Sequence, residues 1–233
     1  MSHEEKEKVQ KAKVQDGAST KHRCLPLADL NDKQRIAHDM MVQACTIDEG
    51  EISETDGGTE FQRLKVLLGA GKTGKSLVID AVITTLSKKY KWSDKLFLMH
   101  ATTGKVATNI GGTTLQNYTT GLGFNSECFL ELGSRTLLRF QEKWKNCKLL
   151  IIDGYSMLKQ KELNYLDLQL KKIMNSDLVF GGLVVVLAGD PGQLSAVKGN
   201  CLWHDKPKKG SHDQLGMFLY KMSTAAMNLT ENK

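Results

Sequence analysis

No stretch of this sequence approaches the ~18 uninterrupted apolar residues that a membrane-spanning helix needs, so no membrane partner is expected. The N-terminus, Met1-Ser-His-Glu-Glu-Lys-Glu-Lys, lacks the apolar centre of a secretion signal, and its glutamates are wrong for a transit peptide. The expected address is therefore the nucleus or cytoplasm rather than the exterior. Cys-x-x-Cys pairs are missing too. The five cysteines (Cys24, Cys45, Cys128, Cys147 and Cys201) are odd in number and scattered, which argues for reduced thiols over a zinc or disulfide framework. The six histidines are equally dispersed, none paired at metal-ligand spacing, and no internal repeat is visible.

What is present is ordinary for one large globular domain: 233 residues, 40% hydrophobic and 25% charged. The net charge of +6 is unevenly spread, because residues 46–60 carry six acids (Asp48, Glu49, Glu51, Glu54, Asp56 and Glu60) and no base. Outside that segment 32 basic residues face 20 acidic ones, a balance that suits a polyanion such as nucleic acid. Residues 1–24 are polar, rich in Lys, Glu and Gln, and too poor in apolar side chains to bury much surface. They are expected to be a disordered or loosely helical tail ahead of a domain over 25–233.

Along that domain the hydrophobic pattern changes period. A helical rhythm at Leu30, Ile36, Met40 and Met41 follows Asn31 or Asp32 as its cap, and the acidic stretch after it reads as a surface loop. Leu64–Leu68 reads as a buried strand and Leu77–Leu86 as the helix after it. Leu96–Met99, Lys148–Ile152 and Leu183–Leu187 read as further strands, and Lys159–Met174 as a helix with Leu163, Leu166, Leu170 and Met174 on one face. Gly181 and Gly182 break the chain before the fourth strand. Apolar strands without alternation, separated by helices, belong in a mostly parallel sheet covered on both faces. The expected class is α/β, a three-layer P-loop NTPase of RecA-like type.

The chemistry begins at Gly69-Ala70-Gly71-Lys72-Thr73-Gly74-Lys75-Ser76, which satisfies G-x-x-x-x-G-K-[ST] and stands after a strand and before a helix. Glycines there let backbone N–H groups turn inward around phosphate oxygens, and the following helix adds its N-terminal dipole. Lys75 would reach the β- and γ-phosphates, and the Ser76 hydroxyl would hold Mg²⁺. Leu149-Leu-Ile-Ile-Asp153 supplies the partner of such a loop, a strand ending in a carboxylate for the metal. Gly189-Asp190-Pro-Gly-Gln193 closes the next strand at the same edge, where Gln193 is placed to sense a γ-phosphate. ATP and Mg²⁺ are the implied cofactors, with Lys75, Asp153 and Gln193 as the catalytic set. The loop alone does not choose among phosphate-transferring families, and a small-molecule kinase would carry the same eight residues.

Taken in order, these pieces resemble the petite-integration-frequency (PIF) family of superfamily-one DNA helicases, which is close to RecD-like enzymes. Leu30-Asn31-x-x-Gln34 is similar to the family's opening L-N-x-x-Q, whose glutamine reads adenine. Thr103–Gln116 is similar to T-G-x-A-A-x-N-I-x-G-x-T-I-H, which in such helicases lies along single-stranded DNA. Ile151–Met157 resembles I-I-D-E-x-S-M, Gly189–Val197 resembles G-D-x-x-Q-L-P-P-V, and Leu229–Asn232 matches L-T-E-N, the start of a second RecA-like domain. The resemblance implies a 5′-to-3′ ATP-dependent helicase in which Gln34 contacts adenine. It also implies a single-stranded DNA track at Thr102, Thr103, Gly104, Lys105, Asn109, Thr114 and Gln116. Hydroxyls, amides and a lysine in that segment suit a sugar-phosphate backbone.

Four departures from the pattern bear on activity. Gly154 stands where the family has the glutamate that orients the attacking water, and Lys72 replaces a loop glycine. Gln116 replaces a histidine, and Ser195 and Ala196 replace two prolines. The second motor domain with its arginine fingers is expected to be absent from this sequence, and a second polypeptide is one source from which it could come. Impaired hydrolysis follows as an expectation, and with it a rival reading: a helicase-derived module that binds nucleotide, DNA or protein without catalysis.

Overall fold

The computed structural model describes residues 27–46, 63–89, 91, 97–102, 107, 113–115, 129, 131–196, 199–223 and 225–230. The expected tail over 1–24, most of the acidic segment, and Thr103, Gly104, Lys105, Asn109 and Gln116 lie outside these residues.

Six strands form one sheet in which every pairing is parallel: β1 (Leu64–Gly69), β2 (Phe97–Ala101), β3 (Thr113–Thr114), β4 (Leu149–Asp153), β5 (Val184–Gly189) and β6 (Ala225–Leu229). Their spatial order is β3-β2-β4-β5-β1-β6. Five helices accompany them among the described residues: α1 (Asp32–Thr46), α2 (Lys75–Lys89), α3 (Ser134–Trp144), α4 (Gln160–Met174) and α5 (His212–Lys221). None of them is long and apolar enough to cross a membrane. Because successive strand side chains point to opposite faces, each central strand feeds two cores. Leu67, Leu149, Ile151, Val184 and Val186 pack with Ala37 and Met41 of α1 and Val78, Val82 and Leu86 of α2. On the other face Val66, Leu150, Ile152, Val185 and Leu187 pack against Phe140 and Trp144 of α3 and Leu163, Leu166 and Leu170 of α4. That is the three-layer arrangement expected from the sequence.

Local chemistry explains several boundaries. Asn31 caps α1 by accepting from the Gln34 N–H at 2.9 Å, while the Gln34 side chain accepts from the Asn31 N–H at 3.1 Å. This reciprocal pair satisfies two orphan donors at the start of the helix. Before β5, the chain reverses through Val179–Gly182 with Phe180 at φ 53° and Gly181 at φ 64°. The Asp167 carboxylate fixes the reversal by accepting from the Phe180 N–H at 2.6 Å, and a Cβ on Gly181 would lie 2.6 Å from the Leu170 carbonyl oxygen. The two glycines therefore break the chain where the sequence suggests. Cys45 and Cys147 form no disulfide, and burial pushes both thiols up to about 12, so they stay protonated.

Among the described residues the sheet has six strands where the sequence suggests four. β3 has two residues and β6 has the pattern Ala-Ala-Met-Asn-Leu, neither carrying a long apolar run. Helices α3 and α5 are additions of the same kind, and α5 runs unbroken through Gly216. That glycine is where α5 meets α4: a Cβ there would lie 1.8 Å from the Gln160 carbonyl oxygen. Gly216→Ala is therefore expected to force the helices apart and to cost at least about 1–3 kcal/mol. Urea unfolding followed by circular dichroism checks this, and an unchanged midpoint would show that the contact yields freely.

Candidate nucleotide-binding site

In a parallel sheet the carboxyl ends of the strands share one edge, and here the register makes three of them level. Leu68 of β1 pairs with Gly189 of β5, and Asp153 of β4 pairs with Ala188, one residue back along the same strand. Residues leaving β1, β4 and β5 therefore meet at one edge, between strands whose connections diverge.

The β1 exit is the phosphate loop. Gly69 pairs with Leu229 of β6, and a Cβ on Gly69 would lie 2.4 Å from Thr73 Oγ1 and 2.9 Å from the Leu229 carbonyl oxygen. Only a residue without a side chain lets β6 and the loop close on each other there. Gly74 has φ 87°, and a Cβ on it would meet the Gln34 side-chain nitrogen at 2.3 Å. Thr73 is buried and its hydroxyl donates to the Ala70 carbonyl at 2.8 Å, tightening the turn. Lys72 occupies the left-handed region at φ 68°, a conformation that costs a non-glycine residue roughly 1–2 kcal/mol.

Gln34, expected to read adenine, is fully buried beneath this loop. Its amide nitrogen donates to the Thr73 carbonyl at 3.0 Å while its oxygen serves the α1 cap. The side chain thus ties the first helix to the loop, and an adenine contact would compete with both bonds.

Lys75 opens α2. Its ammonium donates to the carbonyls of Gly69 at 2.6 Å and Ala70 at 2.9 Å, which holds a cation at the mouth of the loop. Burial lowers its pKa, while the negative charges of Asp153 and Asp190 oppose that shift. Asp153 shows the mirror image: burial raises its pKa, and the Gly154 N–H and the Lys75 charge counteract. One Asp153 oxygen accepts from the Gly154 N–H at 2.8 Å, and among the described residues the other has no hydrogen-bond partner. A half-desolvated carboxylate with one open oxygen, facing a lysine beside a helix N-terminus, suits a hydrated Mg²⁺ shared with phosphate oxygens. Ser76 is exposed in the first turn of the same helix. Among the described residues no three His, Cys, Asp or Glu side chains cluster as a metal cage. Any Mg²⁺ here would take most of its ligands from water and phosphate.

Beyond β4 the chain turns at once. Gly154 has φ 78° and ψ 30°, its N–H also donates to the Ala188 carbonyl at 2.9 Å, and its carbonyl accepts from the Thr102 hydroxyl at 2.8 Å. Beyond β5, Asp190 accepts from the Gly192 N–H at 2.9 Å, and its carbonyl accepts from the Gln193 N–H at 3.1 Å. Gln193 is exposed on this turn, available to a ligand.

Of the DNA-track residues, two are described. Thr102 follows β2, and Thr114 lies in β3 paired with Ala101. Ala101 in turn pairs with Asp153, so both threonines share the edge that carries the phosphate loop. Asp190 is the group that motif reading undervalues: two residues past Ala188, it acts on Lys75 electrically. The G-D dipeptide at the end of an apolar strand is the available signal.

Comparison with known proteins agrees with this geometry. The family model described as PIF1-like helicase matches residues 29–205. The chain is 33% identical over 131 residues to the ATP-dependent DNA helicase RRM3 of Saccharomyces cerevisiae, covering 55% of this chain and 18% of that one. It is 35% identical over 133 residues to the ATP-dependent DNA helicase PIF1 of Danio rerio, covering 55% and 19%. Among solved structures, the Pif1 helicase from Candida albicans superposes with a TM-score of 0.61 at 22% identity, over 88% of this chain and 40% of that one. Bacteroides sp Pif1 in complex with ADP-AlF4 gives 0.53 at 21% identity, over 87% and 42%. The matched part of the chain spans about a fifth of the length of these curated relatives, and the solved structures share its fold. With a match over most of the chain, from the α1 cap to the segment beyond Gln193, this protein belongs to the PIF1-like helicase family.

Proposed function

We propose that this chain is the ATP-binding domain of an ATP-dependent DNA helicase of 5′-to-3′ polarity, one that binds ATP·Mg²⁺ and contacts single-stranded DNA while hydrolysing slowly. The observation that supports this most is the Lys75 ammonium, held at the mouth of a strand–loop–helix turn within the field of Asp153 at the end of β4, on the far side of β5 from β1. In this reading the loop 69–76 cradles the polyphosphate and Lys75 neutralises it. Ser76 and Asp153 hold the metal, which supplies charge stabilisation on the phosphate oxygens. Gln193 reports on the γ-phosphate, and Gln34 sets the loop for adenine.

The DNA side of the reading is supported by the location of Thr102 and Thr114 at the same sheet edge. It also draws on the polar run over 102–118, most of which lies outside the described residues. The Thr102 hydroxyl is engaged with the Gly154 carbonyl, so Thr102 is positioned to link the DNA segment to the hydrolysis position rather than to offer DNA a free hydroxyl. The rival binding-module reading is favoured by Gly154. The kinase reading has no comparable support, since the family match lies with helicases.

Two outcomes test the proposal. Lys75→Ala removes a charge-assisted donor to phosphate, a group worth about 1.5–3 kcal/mol, so Mg·ATP affinity is expected to fall by at least about tenfold. A calorimetric titration reads this, and equal affinity of variant and parent overturns the nucleotide site.

Gly154→Glu restores a carboxylate beside Asp153, and a positioned acid/base group contributes about 10²–10⁴-fold. The left-handed backbone at Gly154 is pinned by bonds to Ala188 and Thr102, so the glutamate is strained by roughly 1–2 kcal/mol. The expected result is faster single-turnover hydrolysis together with a lower melting temperature. Gly154→Ala, equally strained but without the carboxylate, should melt lower and hydrolyse no faster. Equal rates in the two variants contradict the assignment.

A further inference from the structure

The loop carries a second cation that the protein itself does not use. Lys72 is exposed and, among the described residues, makes no hydrogen bond and no ion pair. Yet it holds the left-handed conformation at φ 68° that glycine would adopt without penalty. A lysine at such a position weakens the empty fold, and no neighbour offsets the strain, so its use lies with what approaches the loop from outside.

The charge balance of the site says what that is. Lys75 is acted on by two carboxylates, Asp153 and Asp190, so the site around it carries one cation against two anions. A nucleoside triphosphate with its Mg²⁺ still brings net negative charge, and one ammonium offsets only half of the carboxylate field it meets. Lys72 stands three residues before Lys75 in the same loop, between Gly71 and Gly74, exposed and facing no carboxylate of its own among the described residues, so its charge is left for a ligand at the loop.

We propose that the Lys72 ammonium is a second phosphate-binding cation of this loop, recognising the polyphosphate of a nucleoside triphosphate more strongly than that of a diphosphate. The inference rests on the nucleotide reading above and deepens it, since the loop backbone alone would serve with glycine at this position.

The test compares Lys72→Gly and Lys72→Met with the parent in titrations of Mg·ATP and Mg·ADP at low and high salt, together with thermal melts. Both variants are expected to bind Mg·ATP about three- to tenfold more weakly at low salt, the scale of a surface charge several ångströms from a phosphate. The loss should be smaller for Mg·ADP and should shrink as salt screens the charge. Lys72→Gly should nevertheless melt higher by about 2–4 °C, because it releases the left-handed strain, while Lys72→Met keeps the strain and gains no such stability. Weaker binding with greater stability in one variant is a result that a purely structural lysine would not give. If both variants match the parent toward Mg·ATP while Lys75→Ala still weakens it, the second cation is refuted and the site stands. If the parent binds no nucleotide, the site reading falls and this inference with it.

Discussion

The parallel register of β5 between β1 and β4 is the constraint on which the site depends. It sets Leu68, Gly189 and Asp153 near one level of the sheet, so that three separate stretches of sequence deliver the phosphate loop, the Asp153 carboxylate and the Asp190–Gln193 turn to one place. The two cores hold that register. Leu149, Ile151, Val184 and Val186 are buried on one face and Leu150, Ile152, Val185 and Leu187 on the other, and each such side chain contributes about 1.5–3 kcal/mol when fully buried. A one-residue slip would exchange the faces of a whole strand and would move Asp153 away from Lys75.

On that platform the loop is held from below. Gln34 connects the α1 cap to the Thr73 carbonyl, Thr73 closes back on Ala70, and the bare Cα atoms of Gly69 and Gly74 let β6 and Gln34 approach. The Lys75 ammonium completes the arrangement by bonding two loop carbonyls, which keeps it within the field of Asp153. Burial pushes the lysine down and the aspartate up, and in each case the opposite charge works against the shift.

How much of this is legible in the sequence depends on how locally each feature is encoded. The loop, Asp153 and the apolar strands announce themselves because glycine spacing, a terminal carboxylate and unbroken aliphatic runs are short-range signals. The break at Gly181 and Gly182 and the cap at Asn31 are legible for the same reason. β6 is not, because Ala225–Leu229 becomes a strand only by pairing beside β1. α5 is hidden by Gly216, whose place in a helix makes sense only against the Gln160 carbonyl of α4. The two-bond engagement of Gln34, the left-handed backbone of Gly154 and the strain at Lys72 are conformational facts that no residue pattern displays.

In the proposed function Gly154 would separate binding from turnover, because a hydrogen atom stands where the resemblance puts a water-orienting carboxylate. Steady-state ATP turnover by the purified, unmodified chain, with and without saturating single-stranded DNA, tests that separation most directly. The expected result is nucleotide binding with turnover far below the ~1–10³ s⁻¹ usual for enzymes, whether or not DNA is present. Rapid turnover stimulated by DNA would contradict it, and would assign the work of the missing glutamate to another carboxylate, with Asp190 the one already acting on Lys75.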